Sequence, residues 1–135
     1  SPDVPRAVVA KPTLGGGTLT GNVVINGTNI DDAVIQDTLA LNNGDTITSI
    51  KAFKTVTSVV LPVQVTEGDG ISIGLSAKLG SPVLLTEATI YLALVDGARD
   101  TLPTIVVHAT DKAQVLVTPN TAPNGSRDFK FFYHI

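Results

Sequence analysis

The chain predicts an all-β protein, an antiparallel β-sandwich or jelly roll, and three observations carry that expectation. Eight to ten short segments rich in β-branched residues recur at spacings of about ten residues, most of them divided by a Gly-, Pro- or Asn-containing turn. Residues 70–79 alternate cleanly: Ile71, Ile73, Leu75, Ala77 and Leu79 point one way, Ser72, Gly74, Ser76 and Lys78 the other. That is the pattern of a strand with one face on a core. Residues 82–95, PVLLTEATIYLALV, run almost unbroken in apolar side chains and do not alternate from Ile90 to Val95. Pro82 before this run and Asp96-Gly97 after it favour a central strand over a helix, with both faces expected to be covered, the second by the chain itself or by a neighbouring subunit.

Taken in order, residues 1–17 carry three prolines and the run Gly15-Gly16-Gly17, and they read as a lead-in linker with at most one edge strand at Val8-Val9. Residues 18–135 then form the sandwich domain. Leu19, Val23 and Ile25 mark the next strand, and Asn26-Gly27 is a strong turn signal. Residues 33–41 fit either a short helix, capped by Asp31 or Asp32, or a strand. Strands are expected at 46–53 and at 56–65, the latter limited by Pro62, and Glu67-Gly68-Asp69-Gly70 is a tight turn. Beyond the central run, strands are expected at 102–109 and 114–118. The closing segment DFKFFYHI places Phe129, Phe131, Tyr133 and Ile135 on one inward face, in a chain that has four Phe and two Tyr in all.

Composition narrows the function classes. The net charge of −3 is spread along the chain and gives no basic stripe, so a nucleic-acid partner is not expected. A mean hydropathy of +0.30 with 16% charged residues is high for a small monomer that must wet its whole surface. The longest apolar run falls far short of the ~20 residues of a membrane-spanning helix, so membrane insertion is not the explanation. A covered subunit interface is, and a homo-oligomer is expected. With no cysteine there is no disulfide or thiolate chemistry. With no methionine, Ser1-Pro2 reads as a cut or processed end of something longer.

Reactive groups are sparse. His108 follows an apolar triplet and reads as a half-buried strand histidine without the HxH or HxxxH spacing of a metal pair; His134 is out of phase with the inward aromatics. The acidic pairs lack the alternating spacing of a calcium loop. Glu87 interrupts the central run, so it either faces a wet spot or meets a cation such as Arg99 or Lys78, and the salt bridge is the favoured role. Tyr91 and Tyr133 both read as buried, which leaves no exposed aromatic platform for a sugar. The chain is therefore expected to be no enzyme and to need no cofactor. Recognition is expected on the two polar loops 96–100 and 119–127, through Arg99, Asp100, Asn120, Asn124 and Arg127. Arg127 in particular suits bidentate capture of a carboxylate or phosphate.

The order TLGGGTLTGNVVINGT, PVLLTEATIYLALVDG and DFKFFYHI resembles the head domain of trimeric viral or bacteriophage spikes of the tumour-necrosis-factor-like jelly-roll type, including the spikes of tailless lipid-containing phages; viral capsid protrusion domains share these cues. The resemblance is one of pattern and transfers no binding residue. It implies a homotrimeric attachment module on the virion surface, contacting a host receptor or another virion protein. The rival expectation is a bacterial surface adhesin or carbohydrate-binding β-sandwich module.

Overall fold

The computed structural model describes residues 4–64 and 66–134. Its strands are β1 (Arg6–Thr13), β2 (Thr20–Thr28), β3 (Val34–Asn42), β4 (Ile47–Phe53), β5 (Thr55–Val60), β6 (Gly70–Gly80), β7 (Ile90–Val95), β8 (Ala98–Asp100), β9 (Thr104–Val106), β10 (Leu116–Thr118) and β11 (Phe129–Tyr133), with one 3-10 turn at Lys112–Gln114. They form three sheets ordered β4-β1-β6-β10-β9, β3-β2-β5 and β11-β7-β8. Every pairing is antiparallel. The protein is an all-β antiparallel sandwich of the jelly-roll class, as its alternating segments predict.

The main core lies between the first two sheets. Val8 and Ala10 of β1 and Phe53 of β4 meet Val23 and Ile25 of β2 and Leu39 and Leu41 of β3, with Leu19 closing one end. Phe53, the largest fully buried side chain, stands where the chain changes sheets: β4 ends on it, Lys54 turns, and β5 begins in the opposite layer. Lys54 donates its amide to the Thr28 carbonyl at 2.8 Å, and its ammonium meets Asp32 at 2.8 Å. The corner needs Gly27. A Cβ there would collide with the Thr55 carbonyl and stand 2.9 Å from the Phe53 ring. Asn26-Gly27, expected as a turn, is therefore strand, and the turn comes later. Asn29 Oδ1 accepts from the amides of Asp31 and Ala33, and Asp32 adopts a left-handed φ of 62°.

The pairing of β1 with β4 contains an irregularity. Val9 faces Thr48 but Ala7 faces Ala52, so β4 bulges over residues 49–51. The Val8 amide donates instead to the buried Ser49 hydroxyl at 2.8 Å, which in turn donates a hydrogen bond to the Lys51 carbonyl at 2.7 Å. From the other sheet, Asp37 Oδ2 accepts the Ile50 amide at 2.7 Å and the Lys51 amide at 3.3 Å. The bulge takes these backbone donors out of the ladder, and two side chains supply partners instead: Ser49 for the buried Val8 amide and Asp37 for the more exposed amides of Ile50 and Lys51.

Several expectations change. Residues 6–13, read as part of a linker, are an interior strand between β4 and β6. Gly15 packs against the Glu67 backbone and donates its amide to Asp69 Oδ1 at 2.9 Å, so the glycine run is docked. Residues 33–41 resolve as the strand β3 and not as a helix. The central run is strand only from Ile90; residues 83–89 are irregular, with Leu85 buried. Within the chain itself only one face of β7 is covered, since Tyr91 is 52% exposed. The core-directed face of β6 is only partly covered as well. Register puts Leu75 beside Val8 and Ile73 beside Ala10, yet these two are 43% and 39% exposed. Beyond β1, β6 is paired with β10 only at Leu79 and Gly80, leaving most of its length as an open edge. Of the closing strand, Phe129, Phe131 and Tyr133 face inward but are half-buried, and Ile135 lies outside the described residues.

Phe53→Ala is expected to destabilise by about 3–5 kcal/mol, and Gly27→Ala by about 1–3 kcal/mol through overpacking of the corner. Val34→Ala, at a position 86% exposed, should stay within about 0.5 kcal/mol. Urea unfolding curves of the three variants check this ranking, and equal midpoints would refute it.

Candidate functional site

The two polar loops singled out in the sequence meet at one end of the third sheet. The turn between β7 and β8 runs through Asp96 and Gly97, both in the left-handed region at φ 52° and 82°. That is the backbone a two-residue hairpin requires, and Asp-Gly supplies it. Asp96 then binds the stretch before β11: its amide donates to the Asp128 carbonyl at 2.9 Å, and its Oδ1 accepts the Asp128 amide at 2.9 Å.

Asp100, at the end of β8, makes the second link. Its Oδ1 accepts the Thr101 amide at 2.8 Å and the Asn120 amide side chain at 3.1 Å, and its Oδ2 accepts the Thr121 amide at 3.1 Å. Partial desolvation of this carboxyl acts to raise its pKa, but hydrogen bonds from Thr121, Thr101 and Asn120 outweigh it and hold the group below 3.8. Asn124 folds its own turn, with Oδ1 accepting the Ser126 amide and hydroxyl and the Arg127 amide, each at 3.1 Å. Arg127 donates Nη1–H to the Ala122 carbonyl at 2.6 Å and has Nε 3.9 Å from Asp96 Oδ2. Four of the five proposed contact residues are thus engaged in building the loop end itself. Arg99 is different: its register partner on β7 is Leu94, and it makes no hydrogen bond or ion pair among the described residues.

Between the third sheet and the end of the first lies an apolar cavity of about 420 Å³, lined by Leu79, Leu85, Ile90, Phe129, Phe131 and Tyr133, with Arg127 and Asp128 also on its wall. The inward aromatics of the closing strand thus line a cavity where close packing was expected, and this is why they are only half-buried.

His108 is not on a strand. It lies just past β9, where its Nδ1 accepts the Asp111 amide at 2.8 Å and the Thr110 amide at 3.3 Å, so it caps a turn. Asp111 in turn caps the 3-10 turn; the Gln114 side chain lowers its pKa most, against desolvation, with help from the Ala113 amide, Lys51 and His108. Glu87 is exposed and makes no ion pair among the described residues, so of the two expected placements it takes the solvent-facing one and the favoured contact with Arg99 or Lys78 is not formed. Asp31 and Asp32 pair with Lys112 and Lys54. Among the described residues no group of three or more His, Asp or Glu side chains is placed to hold a metal ion, and no helix is long and apolar enough to cross a membrane.

Sequence reasoning missed the outer face of the third sheet. Tyr91 stacks on His134 with ring centroids 4.7 Å apart and stands 6.5 Å from Phe132, which is 40% exposed. The spacing of the apolar run hides this, because a bulge that redirects one residue leaves no mark in the alternation.

Asp100→Ala is expected to release the 119–121 stretch, lowering hydrogen-exchange protection of the Thr121 amide about tenfold or more. A depressed folded-state pKa contributes stability that is complete above the unfolded value and is lost as pH falls through the folded one. The link should therefore hold at neutral pH and loosen only on acidification below 3.8. Carboxyl-detected NMR titration reads the midpoint directly; a midpoint above 3.8 would contradict the bonding described.

Comparison with known proteins finds no matching family model, no matching curated protein and no matching solved structure.

Proposed function

We propose that this chain is a non-enzymatic attachment module, the head of a homotrimeric virion surface spike. It assembles through its uncovered apolar sides and meets a host receptor or another virion protein at the loop end. The observation that carries this reading is the incomplete cover on β6. Ile73 and Leu75 stand on the core-facing side of the sheet, in register with fully buried β1 residues, yet each is more than a third exposed along an open edge. Val60 at the edge of the second sheet and Val63 beyond it are more exposed still, at 55% and 83%. Apolar surface of this kind is what a subunit interface removes from water. The loop end has the opposite character, polar and fixed by Asp96 and Asp100, as suits a surface presented rigidly on a multivalent head. Three weak sites on one assembly gain avidity through local concentration.

A second reading, a bacterial surface adhesin or carbohydrate-binding module, is favoured by the exposure of Tyr91 beside Phe132 and His134, an aromatic surface of the kind sugars stack on.

Sedimentation equilibrium at micromolar concentration tests the first reading. The expected species is three times 14.0 kDa, and Leu75→Asp with Ile73→Asp should return it to one chain mass. A single monomeric species for the unaltered protein would overturn it. Replacing residues 120–124 by a Gly/Ser linker should keep the oligomer and remove partner attachment.

A further inference from the structure

We propose that the outer face of the β11-β7-β8 sheet is a binding platform for an acidic oligosaccharide bearing carboxylates. The inference rests on the carbohydrate reading and names the ligand class and its residues. The face is built by register. Leu94 pairs with Arg99 on one side and Lys130 on the other, and Leu92 pairs with Phe132. Paired residues share a face, so Arg99, Leu94 and Lys130 form one row and Leu92 and Phe132 the next, about 7 Å along the strands. The face beneath, through Ile90, Phe129, Phe131 and Tyr133, is the wall of the apolar cavity.

The register shift between Phe132 and Tyr133 then adds a ring. Tyr133 pairs with Ile90 and Phe132 with Leu92, which leaves Tyr91 as the extra residue of a bulge, turned out to solvent. His134 follows Phe132 on the same side and stacks on Tyr91 at an interplanar angle of 30°. The Thr89 hydroxyl donates to the His134 carbonyl at 2.8 Å and anchors that end of the strand. The result is an aliphatic floor with aromatic rings at one end and cations at the other. Lys130 has a neighbouring carboxylate in Asp128 at 3.2 Å; Arg99 is exposed and has no such neighbour among the described residues.

This combination selects its ligand chemically. The C–H face of a pyranose stacks on an exposed tyrosine or phenylalanine. A guanidinium fork one row away matches a carboxylate on the same or the next sugar. A two-fold axis through the row of Arg99, Leu94 and Lys130 would set these cations of a second copy against their own equivalents, and charge disfavours that docking.

Titration calorimetry of the intact protein with a galacturonate hexasaccharide tests the proposal, with maltohexaose, a heparin hexasaccharide and phosphatidylcholine/phosphatidylglycerol vesicles as parallel arms. Binding of the galacturonate is expected, weakened about tenfold or more by Tyr91→Ala and by Arg99→Ala, and not restored by Arg99→Lys. Both positions are exposed, so unchanged thermal melting verifies that the variants are folded; Phe132→Ala serves as a third variant on the same face. Maltohexaose binding equally well would keep the carbohydrate reading and overturn the acidic assignment. Preference for the sulfated sugar or for vesicles, or no binding in any arm, would also overturn it. So would loss of self-association in Tyr91→Ala or Phe132→Ala, which would make this face an interface between copies. Exchange of residues 120–124 leaves the platform intact, so failure of loop-end attachment reads out separately.

Discussion

The sandwich depends on a corner three residues long. Phe53 must fill the core from one sheet while Thr55 already pairs in the other, and Lys54 alone spans the change. Such a short crossing brings the Thr55 backbone onto β2, and only a residue without a side chain can lie beneath it. Gly27 and Phe53 are therefore complementary: the missing side chain of one makes room for the backbone that follows the other. The contact pins the end of β2 to the start of β5, where Gly27 pairs with Val56 and Thr28 with Thr55, beside the core side chain of Phe53.

Much of the fold was legible because a half-buried strand writes its burial into alternate residues. Residues 129–133 declared themselves in this way; residues 70–79 alternate in chemistry and do form β6, yet Ile73 and Leu75 stay largely uncovered. The first strand did not, since Pro5, Pro12 and the nearby glycines suggest a linker to any reading based on local propensity. Its place is decided by pairing with residues far along the chain, and Pro12 is accepted because tertiary pairing outweighs local preference. Gly27 shows the same limit in reverse: Asn-Gly carries the chemistry of a turn, but here the glycine answers a demand for space.

The candidate site was legible in outline. Loop chemistry located the polar end, and Asp100 does join Asn120 across it. What composition could not show is that most of these polar groups are consumed in holding the loops together. Arg127 turns back onto Ala122 and toward Asp96, while Arg99, one of a pair of residues at the end of β8 that face opposite ways, stays open. The aromatic face escaped notice for a related reason. Its position depends on a one-residue offset between β7 and β11, and an offset belongs to a pair of strands and to neither sequence alone.

The position of β1 between β4 and β6 also has a kinetic meaning. Its pairing with β4 joins residues some forty positions apart, and its pairing with β6 joins Arg6 to Leu79. Closing loops of that length before any contact rewards them makes folding slow. As the chain emerges from a ribosome, β2 and β3 can form their hairpin at once, but β1 must wait for β4 before Val8, Ala10 and Phe53 can cover that hairpin. The strand that precedes the hairpin is therefore fixed only after it, and β6 adds to its other edge later still.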